Sequence, residues 1–307
     1  MNGKAFAPGH ITGFFEIFDR PSNPLRKGSR GAGVNLSLGV LTTVEATRAA
    51  APSIDIRLNR RKAPAGTTLR AVRELLSDRH LCVRVRSDVQ LPVGQGLGMS
   101  AAGALSTALA LSSALGHSSA LGHSSTRRLA PSSNLFAAGR AAHIAEVRSR
   151  TGLGDVAGAL RGGWEMRVRP GFPPFGLIKR FAAPGRPVAI CVSGEPVPTR
   201  GVLKNPAMRR AINRVGRACM SEMLEAPTLQ NFFALSHRFA RLSGLASKES
   251  LILVEEIHAR RLGLASVSMI GNSVFATGDI PALKTFMKGY GKVFVCATDL
   301  RGARPVA

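Results

Sequence analysis

The stretch LPVGQGLGMSAAG, Leu91–Gly103, decides the fold that we expect for this chain. It follows Leu81–Val89, where apolar or small side chains alternate with charged ones in the pattern of a half-buried strand. It runs into the Ala- and Leu-rich segment Ser100–Leu115, which predicts a buried helix. Closely spaced glycines let the backbone approach a ligand, and a helix N-terminus offers free N–H groups and a positive dipole. The stretch therefore predicts a phosphate-binding loop, with a tight strand-to-helix turn as the alternative.

Two common phosphate loops are excluded by residues that the chain lacks. A Walker A loop requires Gly-Lys followed by Ser or Thr, and no lysine occurs between Lys62 and Lys179. The residues Gly96–Ala101 match the G-x-G-x-x-A fingerprint of dinucleotide-binding folds, which also need an acidic residue about 20 positions later to bind the ribose. No Asp or Glu occurs between Val89 and Ala145. We therefore do not expect NAD binding.

The patterns along the rest of the chain predict an α+β protein with two domains. The predicted strands after the glycine loop are Trp164–Arg169, Val188–Ser193, Val267–Thr277 and Lys292–Ala297. The predicted helices are Asn134–Arg150, Ala207–Leu224, Leu229–Leu242, Leu251–Leu262 and Pro281–Tyr290. A succession of strands, then helices, then strands favours two α+β units. We place them at residues 1–165 and 166–307.

The charge balance raises the question of nucleic-acid binding, because the chain has 42 Lys and Arg residues but only 18 Asp and Glu residues, a net charge of +24. The basic residues are spread along the chain, and the longest contiguous basic run is Arg60-Arg61-Lys62. Aromatic residues make up only 5% of the chain, so a platform on which bases could stack is not expected. An RNA-binding protein is therefore the less favoured alternative, and we expect no nucleic-acid partner.

Cysteine spacing and hydropathy favour a cytoplasmic protein without a membrane partner. The four cysteines are far apart and none has metal-ligand spacing, so we expect reduced thiols rather than a metal site. The most apolar stretch, Ala101–Gly116, is interrupted by serines and is too short to span a bilayer.

The scarcity of carboxylates narrows the chemistry. Phosphoryl transfer requires a ligand for Mg²⁺ and usually a carboxylate beside the attacking hydroxyl. The first two acidic residues after the glycine loop are Glu146 and Asp155, the second in the segment TGLGDVAG, Thr151–Gly158. A carboxylate flanked by glycines and apolar residues is seldom only a solvated charge. We therefore predict functional roles for Glu146 and Asp155, with a helix cap as the alternative for Asp155.

Three segments together resemble the GHMP kinases, the superfamily of galactokinase, homoserine kinase and mevalonate kinase. They are the loop from Pro92 to Ala102, APGHITGFFE (Ala7–Glu16), and SVSMIGNSVFA (Ser266–Ala276) at the place of the family's C-terminal glycine motif. Four segments are similar in detail to the archaeal pantoate kinases of that superfamily: FAPGHITGFFEI (Phe6–Ile17), GSRGAGVNLSLGV (Gly28–Val40), TGLGDVAG (Thr151–Gly158) and IGNSVF (Ile270–Phe275). The resemblance implies a two-domain GHMP-kinase-like fold, with an N-terminal mixed sheet with helices and a C-terminal ferredoxin-like α/β sandwich.

The resemblance also implies cofactors and a reaction. ATP and Mg²⁺ would be the cofactors, and pantoate would be phosphorylated on its 4-hydroxyl in coenzyme A biosynthesis. Another small alcohol, such as mevalonate or homoserine, is the alternative acceptor, and a homodimer is a candidate assembly. Asp155 would act as base or orienting group for the hydroxyl. His10, at a position where the family usually has Lys or Arg, would steady either Asp155 or the phosphoryl group. Ser100 and Glu146 would bind Mg²⁺.

Two further sets of residues follow from the resemblance. Those implied for the ATP phosphates are Pro92, Gly94, Gly96, Leu97, Gly98, Ser100, Ala101 and Ala102. Those implied for the substrate are Arg30, Gly31, Gly33, Gly271 and Asn272. Within the second set, Arg30 and the backbone N–H groups around it are expected to meet the pantoate carboxylate, with an ordinary turn and a solvated Arg30 as the alternative.

Overall fold

The computed structural model describes residues 1–77, 79–116, 130–197, 201 and 205–306. Its first sheet is built around a long antiparallel hairpin of β1 (Asn2–Phe18) and β2 (Gly28–Arg48). The strands β3 to β7 and β12 complete this mixed sheet, in which β3 lies parallel to β5 and the other pairs are antiparallel. Their bounds are β3 Ser53–Leu58, β4 Arg61–Lys62, β5 Leu81–Val89, β6 Trp164–Arg169, β7 Leu177–Arg180 and β12 Arg304–Pro305.

Four helices belong to this half of the chain: α1 (Gly66–Leu76), α2 (Met99–Ala114), α3 (Ala130–Ser149) and α4 (Asp155–Arg161). Helix α2 packs against β1 and β2 on one side and against α1 and α3 on the other, and nearly all its side chains are buried. An Ala- and Leu-rich helix without charged residues suits this central place, because it has no exposed face. Gly3 permits the close approach of β1, since a Cβ there would lie 2.0 Å from the Ala110 carbonyl oxygen.

The second sheet has four antiparallel strands in the order β11-β8-β10-β9. The strands are β8 Pro187–Val192, β9 Gly263–Val267, β10 Ser273–Gly278 and β11 Lys292–Ala297. The helices α5 Pro206–Glu225, α6 Leu229–Ser243 and α7 Lys248–Ala259 connect β8 to β9, and α8 Ile280–Met287 connects β10 to β11. This order and these crossovers are those of a ferredoxin-like sandwich, so the predicted fold class is confirmed.

A cluster of aromatic rings joins the two halves. The Phe232 ring on α6 lies with its centroid 5.6 Å from that of Trp164 on β6 and 6.3 Å from that of Phe14 on β1. On its other side it lies 5.5 Å from Phe233, which packs at 5.2 Å on Phe275 of the second sheet. These rings form a continuous contact between the second half of the chain and the first sheet.

The structure differs from the sequence predictions in two places. One continuous strand over Val267–Thr277 is wrong, because β9 ends at Val267 and β10 begins at Ser273, with Ile270 in the turn at a φ of 60°. The hairpin β1–β2 was not predicted as strands, because most of its residues are buried and little alternation marks it.

The predicted domain division at residue 165 stays a prediction. Strand β6 crosses that residue and pairs with β2, and β7 pairs with β6, so both lie in the first sheet. The second sheet begins at Pro187.

Among the helices of the described ranges, none is both long enough and apolar enough to traverse a bilayer.

Candidate active site

A cavity of about 410 Å³ lies beside the start of α2. One wall is the glycine loop, and another is the segment that links α3 to α4 with Glu146 behind it. Strands β1 and β2 contribute Thr12 and Ser29, and the turn between β9 and β10 contributes Met269 and Ile270. Residues far apart in sequence and from both halves of the chain therefore share one cavity.

The glycine loop has a backbone conformation that favours glycine at three of its positions. Gly94, Gly96 and Gly98 have φ angles of +79°, +72° and +69°, in the left-handed region that favours glycine. A Cβ on Gly98 would also lie 2.9 Å from the backbone nitrogen of His10. Gly98 is the N-cap residue of α2 and has no side chain. The backbone N–H groups in the first turn of α2 therefore donate to no capping side chain from it. The loop thus has the features of a phosphate site.

Most of the residues predicted for the ATP phosphates face the cavity. The lining residues among them are Gly94, Gly96, Leu97, Gly98, Ser100 and Ala101. Pro92 and Ala102 are not lining residues; Ala102 is fully buried within α2. Their predicted contact with ATP stays a prediction.

Asp155 lines the cavity and is paired with His10, and the roles of both residues in the reaction stay predictions. The Asp155 Oδ1 lies 2.8 Å from His10 Nδ1 and accepts a bond of 3.4 Å from Thr12 Oγ1. His10 Nε2 lies 3.0 Å from Glu165 Oε1, so the imidazole is placed between two carboxylates. Burial lowers the pKa of His10, but the bonds to Asp155 and Glu165 outweigh it and leave the pKa above its usual value. Burial raises the pKa of Asp155, but His10 and Arg167 bring it below its usual value.

Glu165 and Arg167 are site residues that the sequence analysis missed. Their side chains are 0% and 2% exposed, and they form an ion pair with each other behind His10. The Arg167 guanidinium also donates to Ser29 Oγ at 3.2 Å and to Thr12 Oγ1 at 3.3 Å. A signal was present in the sequence: the two charged residues stand two positions apart on β6, so both side chains lie on one side of the strand.

We expect the contribution of His10 to stability to depend on pH. Since its folded pKa is raised, the stabilisation is complete below the unfolded value of about 6.5 and is lost as pH rises through the folded pKa. The difference in unfolding free energy between wild type and His10→Gln should therefore shrink as the pH is raised from 6 to 9. Urea unfolding at several pH values checks this, with exposed His80→Gln as the control. A difference independent of pH contradicts it.

Glu146 is the second predicted carboxylate, and the structure brings it close to Asp155. It is buried, and neither carboxyl oxygen has a hydrogen-bond partner among the described residues. Burial, followed by the charge of Asp155, raises the pKa of Glu146 well above its usual value. Both acids border one space, because a Cβ on Gly152 would lie 2.3 Å from Glu146 Oε1 and 3.0 Å from Asp155 Oδ2. Gly152 keeps that space open.

This space fits a divalent cation that arrives with a nucleotide. Mg²⁺ in nucleotide sites usually takes one or two carboxylates and completes its shell with phosphate oxygens and water. Glu146 offers two unpartnered oxygens, and Ser100 lines the same cavity with its hydroxyl 3.3 Å from Thr67 Oγ1. In the described part of the chain no group of three or more His, Cys, Asp or Glu side chains could hold a metal alone. A metal here would therefore depend on phosphate ligands.

The residues predicted for the substrate do not line the cavity. Arg30 stands next to Ser29 on β2, and neighbouring strand residues face opposite sides of the sheet. Its guanidinium accordingly lies 3.4 Å from Glu16 and donates to the Val168 carbonyl at 3.1 Å. The role proposed for Arg30 at the substrate stays a prediction.

The predicted glycines instead make room for the residues of the site. A Cβ on Gly33 would lie 2.6 Å from His10 Nε2, and one on Gly31 would lie 3.1 Å from the Arg167 guanidinium. Gly271 packs on the backbone of Gln95 in the glycine loop, where a Cβ would lie 2.1 Å from a carbonyl carbon.

The turn between β9 and β10 holds the glycine loop in place. The Gln95 side chain accepts from Asn272 N at 3.1 Å and donates to the Gly194 carbonyl at 2.7 Å. Ser268 Oγ donates to the Gly96 carbonyl at 2.6 Å. The Asn272 side chain donates to the Glu195 carbonyl. The second half of the chain therefore fixes the shape of a loop that belongs to the first half.

Comparison with known proteins gives a consistent picture. The family described as "GHMP kinases N terminal domain" matches residues 65–163, a range that contains the glycine loop, Glu146 and Asp155. The pantoate kinase of Methanocaldococcus jannaschii is 31% identical over 300 residues, covering 95% of this chain and 98% of that protein. The pantoate kinase of Thermococcus kodakarensis is 34% identical over 280 residues, covering 89% of this chain and 86% of the relative.

Solved structures agree with the sequence relatives. A structure described as a phosphotransferase related to the CoA biosynthesis pathway superposes with a TM-score of 0.85 at 28% identity, covering 100% of this chain and 99% of that one. A homoserine kinase from Cytophaga hutchinsonii superposes with a TM-score of 0.68 at 18% identity, covering 99% of this chain and 97% of that one, and supports the fold alone. The identity and coverage of the curated relatives decide the family: this chain belongs to the pantoate kinases, within the GHMP kinase superfamily.

Proposed function

We propose that this kinase transfers the γ-phosphoryl group of ATP to the 4-hydroxyl of pantoate. The observation that carries the proposal is the placement of Asp155, paired with His10, in the same cavity as the glycine loop. Relatives that align over about nine-tenths of the chain or more are pantoate kinases, which favours pantoate over other small alcohols.

The glycine loop positions the nucleotide in this proposal. Backbone N–H groups at the start of α2 and along Gly94–Ser100 bind the phosphates, aided by the positive end of the helix dipole. The hydrogen bonds from Ser268 and to Gln95 hold the loop in its binding shape before the ligand arrives. A preformed loop loses little conformational entropy on binding.

Asp155 receives the hydroxyl proton. The acceptor oxygen forms a bond to the γ-phosphorus while the bond from that phosphorus to the β–γ bridging oxygen breaks, and ADP leaves. The hydroxyl proton passes to Asp155, whose Oδ1 is held by His10 and whose Oδ2 borders the open space beside Gly152. The depressed pKa of Asp155 keeps it ionised at neutral pH and ready to accept the hydrogen bond.

His10 acts as the fixed positive charge beside Asp155. Lys or Arg usually stands there in the superfamily, and a neutral imidazole would not provide the same charge. Asp155 on one nitrogen and Glu165 on the other favour the imidazolium form. Arg167 in turn balances Glu165, so the buried charges are paired.

Glu146 and Ser100 are the residues that would hold Mg²⁺. When bound, the cation neutralises charge on the phosphates and so favours phosphoryl transfer. Both residues line the cavity, and the unpartnered oxygens of Glu146 support this role. Both halves of the chain contribute residues to the site. Three expectations remain predictions: the domain division at residue 165, a homodimer and a cytoplasmic location.

The proposal is tested by measuring ADP release with a panel of acceptors. With ATP and Mg²⁺, pantoate should give a kcat/KM at least about 100-fold above those of mevalonate and homoserine, because its carboxylate and hydroxyls must be matched together. The product should carry phosphate on the 4-hydroxyl, as read by phosphorus NMR. Faster turnover of mevalonate or homoserine would show that pantoate is not the preferred substrate. Tight, steeply salt-dependent RNA binding without kinase activity would instead support the RNA-binding alternative.

A further inference from the structure

Arg150 has an unusual backbone conformation at the mouth of the cavity. It follows the last residue of α3 and has a φ of +55°, in the left-handed region that residues other than glycine seldom adopt. Its side chain is exposed and lines the cavity. No side-chain hydrogen bond or ion pair joins it to another residue in the described ranges. Nothing in the packing of the fold therefore explains an arginine at this position.

The other positive charges near the site are already engaged. Arg167 is paired with Glu165, and His10 lies between Asp155 and Glu165. Arg30 is held by Glu16 and does not line the cavity.

Arg150 is accordingly the one Arg or Lys among the described residues that line the cavity. Glu146 and Asp155 would repel an anion that enters it, and both proposed reactants are anions. A free guanidinium at the mouth offsets that repulsion.

We propose that Arg150 binds the oxyanion of a ligand in this cavity, either the carboxylate of the acceptor or a phosphate of the nucleotide. The proposal deepens the proposed function and rests on it for the identity of the acceptor. The planar guanidinium can donate two parallel hydrogen bonds to either group. Arg150 is thus a specificity-determining residue for anionic ligands.

The backbone conformation separates this role from a structural one. Glycine adopts a left-handed conformation without a Cβ penalty, so Arg150→Gly should fold with a Tm close to that of the wild type or higher. If Arg150 serves ligand binding, the Arg150→Gly variant should bind its ligand more weakly. If Arg150 serves the fold, the same variant should have a lower Tm and unchanged ligand binding.

The experiment uses the full chain and four variants: Arg150→Gly, Arg150→Gln, Arg150→Lys and, as the control, Arg148→Gln. Arg148 stands two residues earlier in the chain, and its partner is Glu74 outside the cavity. Calorimetry gives the Kd of ATP and of pantoate separately, and scanning fluorimetry gives Tm.

We expect Arg150→Gln and Arg150→Gly to raise one of these Kd values about 10- to 100-fold, as for a lost hydrogen bond to a charged group. Arg150→Lys should recover part of the loss, and the control should bind as the wild type does. A rise for pantoate alone identifies the carboxylate as the oxyanion, and a rise for ATP alone identifies a phosphate.

Unchanged Kd values for both ligands in Arg150→Gln and Arg150→Gly overturn the proposal. The binding measurements also separate it from the proposed function. If the wild type binds ATP but neither binds nor phosphorylates pantoate, the choice of acceptor fails. The proposal for Arg150 is then tested with ATP alone. An unchanged Kd for ATP in Arg150→Gln and Arg150→Gly refutes the proposal, and a raised Kd supports it.

Discussion

Replacing Asp155 by Asn should lower kcat by roughly 10²- to 10⁴-fold with little change in the KM for ATP. The amide cannot accept the hydroxyl proton as a carboxylate does. It has nearly the same shape, and its oxygen can still accept a hydrogen bond from His10 Nδ1, which lies 2.8 Å from Asp155 Oδ1. The variant should therefore fold and bind nucleotide while losing turnover. Steady-state kinetics with pantoate and saturating ATP measure the effect.

The control for this variant is Asp88→Asn, which changes an exposed aspartate on β5. It should leave kcat within about twofold of the wild type, since most surface substitutions have small effects. Near-wild-type turnover of Asp155→Asn would remove Asp155 from the reaction and leave the bond to His10 as a purely structural feature.

Replacing Glu146 by Gln should raise the Mg²⁺ concentration needed for half-maximal activity by roughly tenfold or more, because an amide oxygen is a weaker ligand than a carboxylate. Without metal the variant should be at least as stable as the wild type at pH 7 to 8. Burial raises the pKa of Glu146, so its contribution to stability is lost as pH rises above the unfolded value of about 4.5. A glutamine does not ionise and avoids this loss.

Two measurements check this prediction. The first is a Mg²⁺ titration of activity for the wild type, Glu146→Gln and Ser100→Ala, with exposed Glu225→Gln as the control. The second is Tm with and without Mg²⁺ and ATP, where the shift should be smaller in Glu146→Gln than in the control. An unchanged metal titration curve would argue against Glu146 as a ligand, and a strongly destabilised metal-free variant would contradict the electrostatic argument.

The high positive charge has a partly structural use in this fold. Several arginines bind carboxylates or backbone carbonyls where chain segments meet. Arg209 donates to Asp19 at 2.6 Å between α5 and the end of β1, and Arg238 donates to Glu222 at 2.6 Å between α6 and α5. Arg180 donates to backbone carbonyls of the α4 end and of Leu300. These contacts connect elements of the fold and make no use of a polyanionic partner.

The elements that could be predicted from the sequence are those marked by short-range sequence patterns. The glycine loop, strand β5 and helix α2 are marked by short-range patterns of glycine, alternation and apolar content, and each lies where the sequence places it. Asp155 and Glu146 stood out because carboxylates are scarce in this chain. The turn between β9 and β10 was misjudged because apolar and small residues continue through it, and periodicity cannot mark a turn without a break in composition.

The kind of protein was predictable from the sequence, because several motifs in the same order resemble those of one kinase superfamily. The tertiary structure decided which charges meet in the site. Antiparallel pairing of β2 with β6 brings Glu165 and Arg167 to His10, 155 residues away from Glu165. Alternation along β2 turns Arg30 away from the cavity that Ser29 lines. Sheet pairing joins segments that are far apart in the chain, and alternation along one strand gives only the relative sides of its residues, so which side faces the cavity is decided by the pairing.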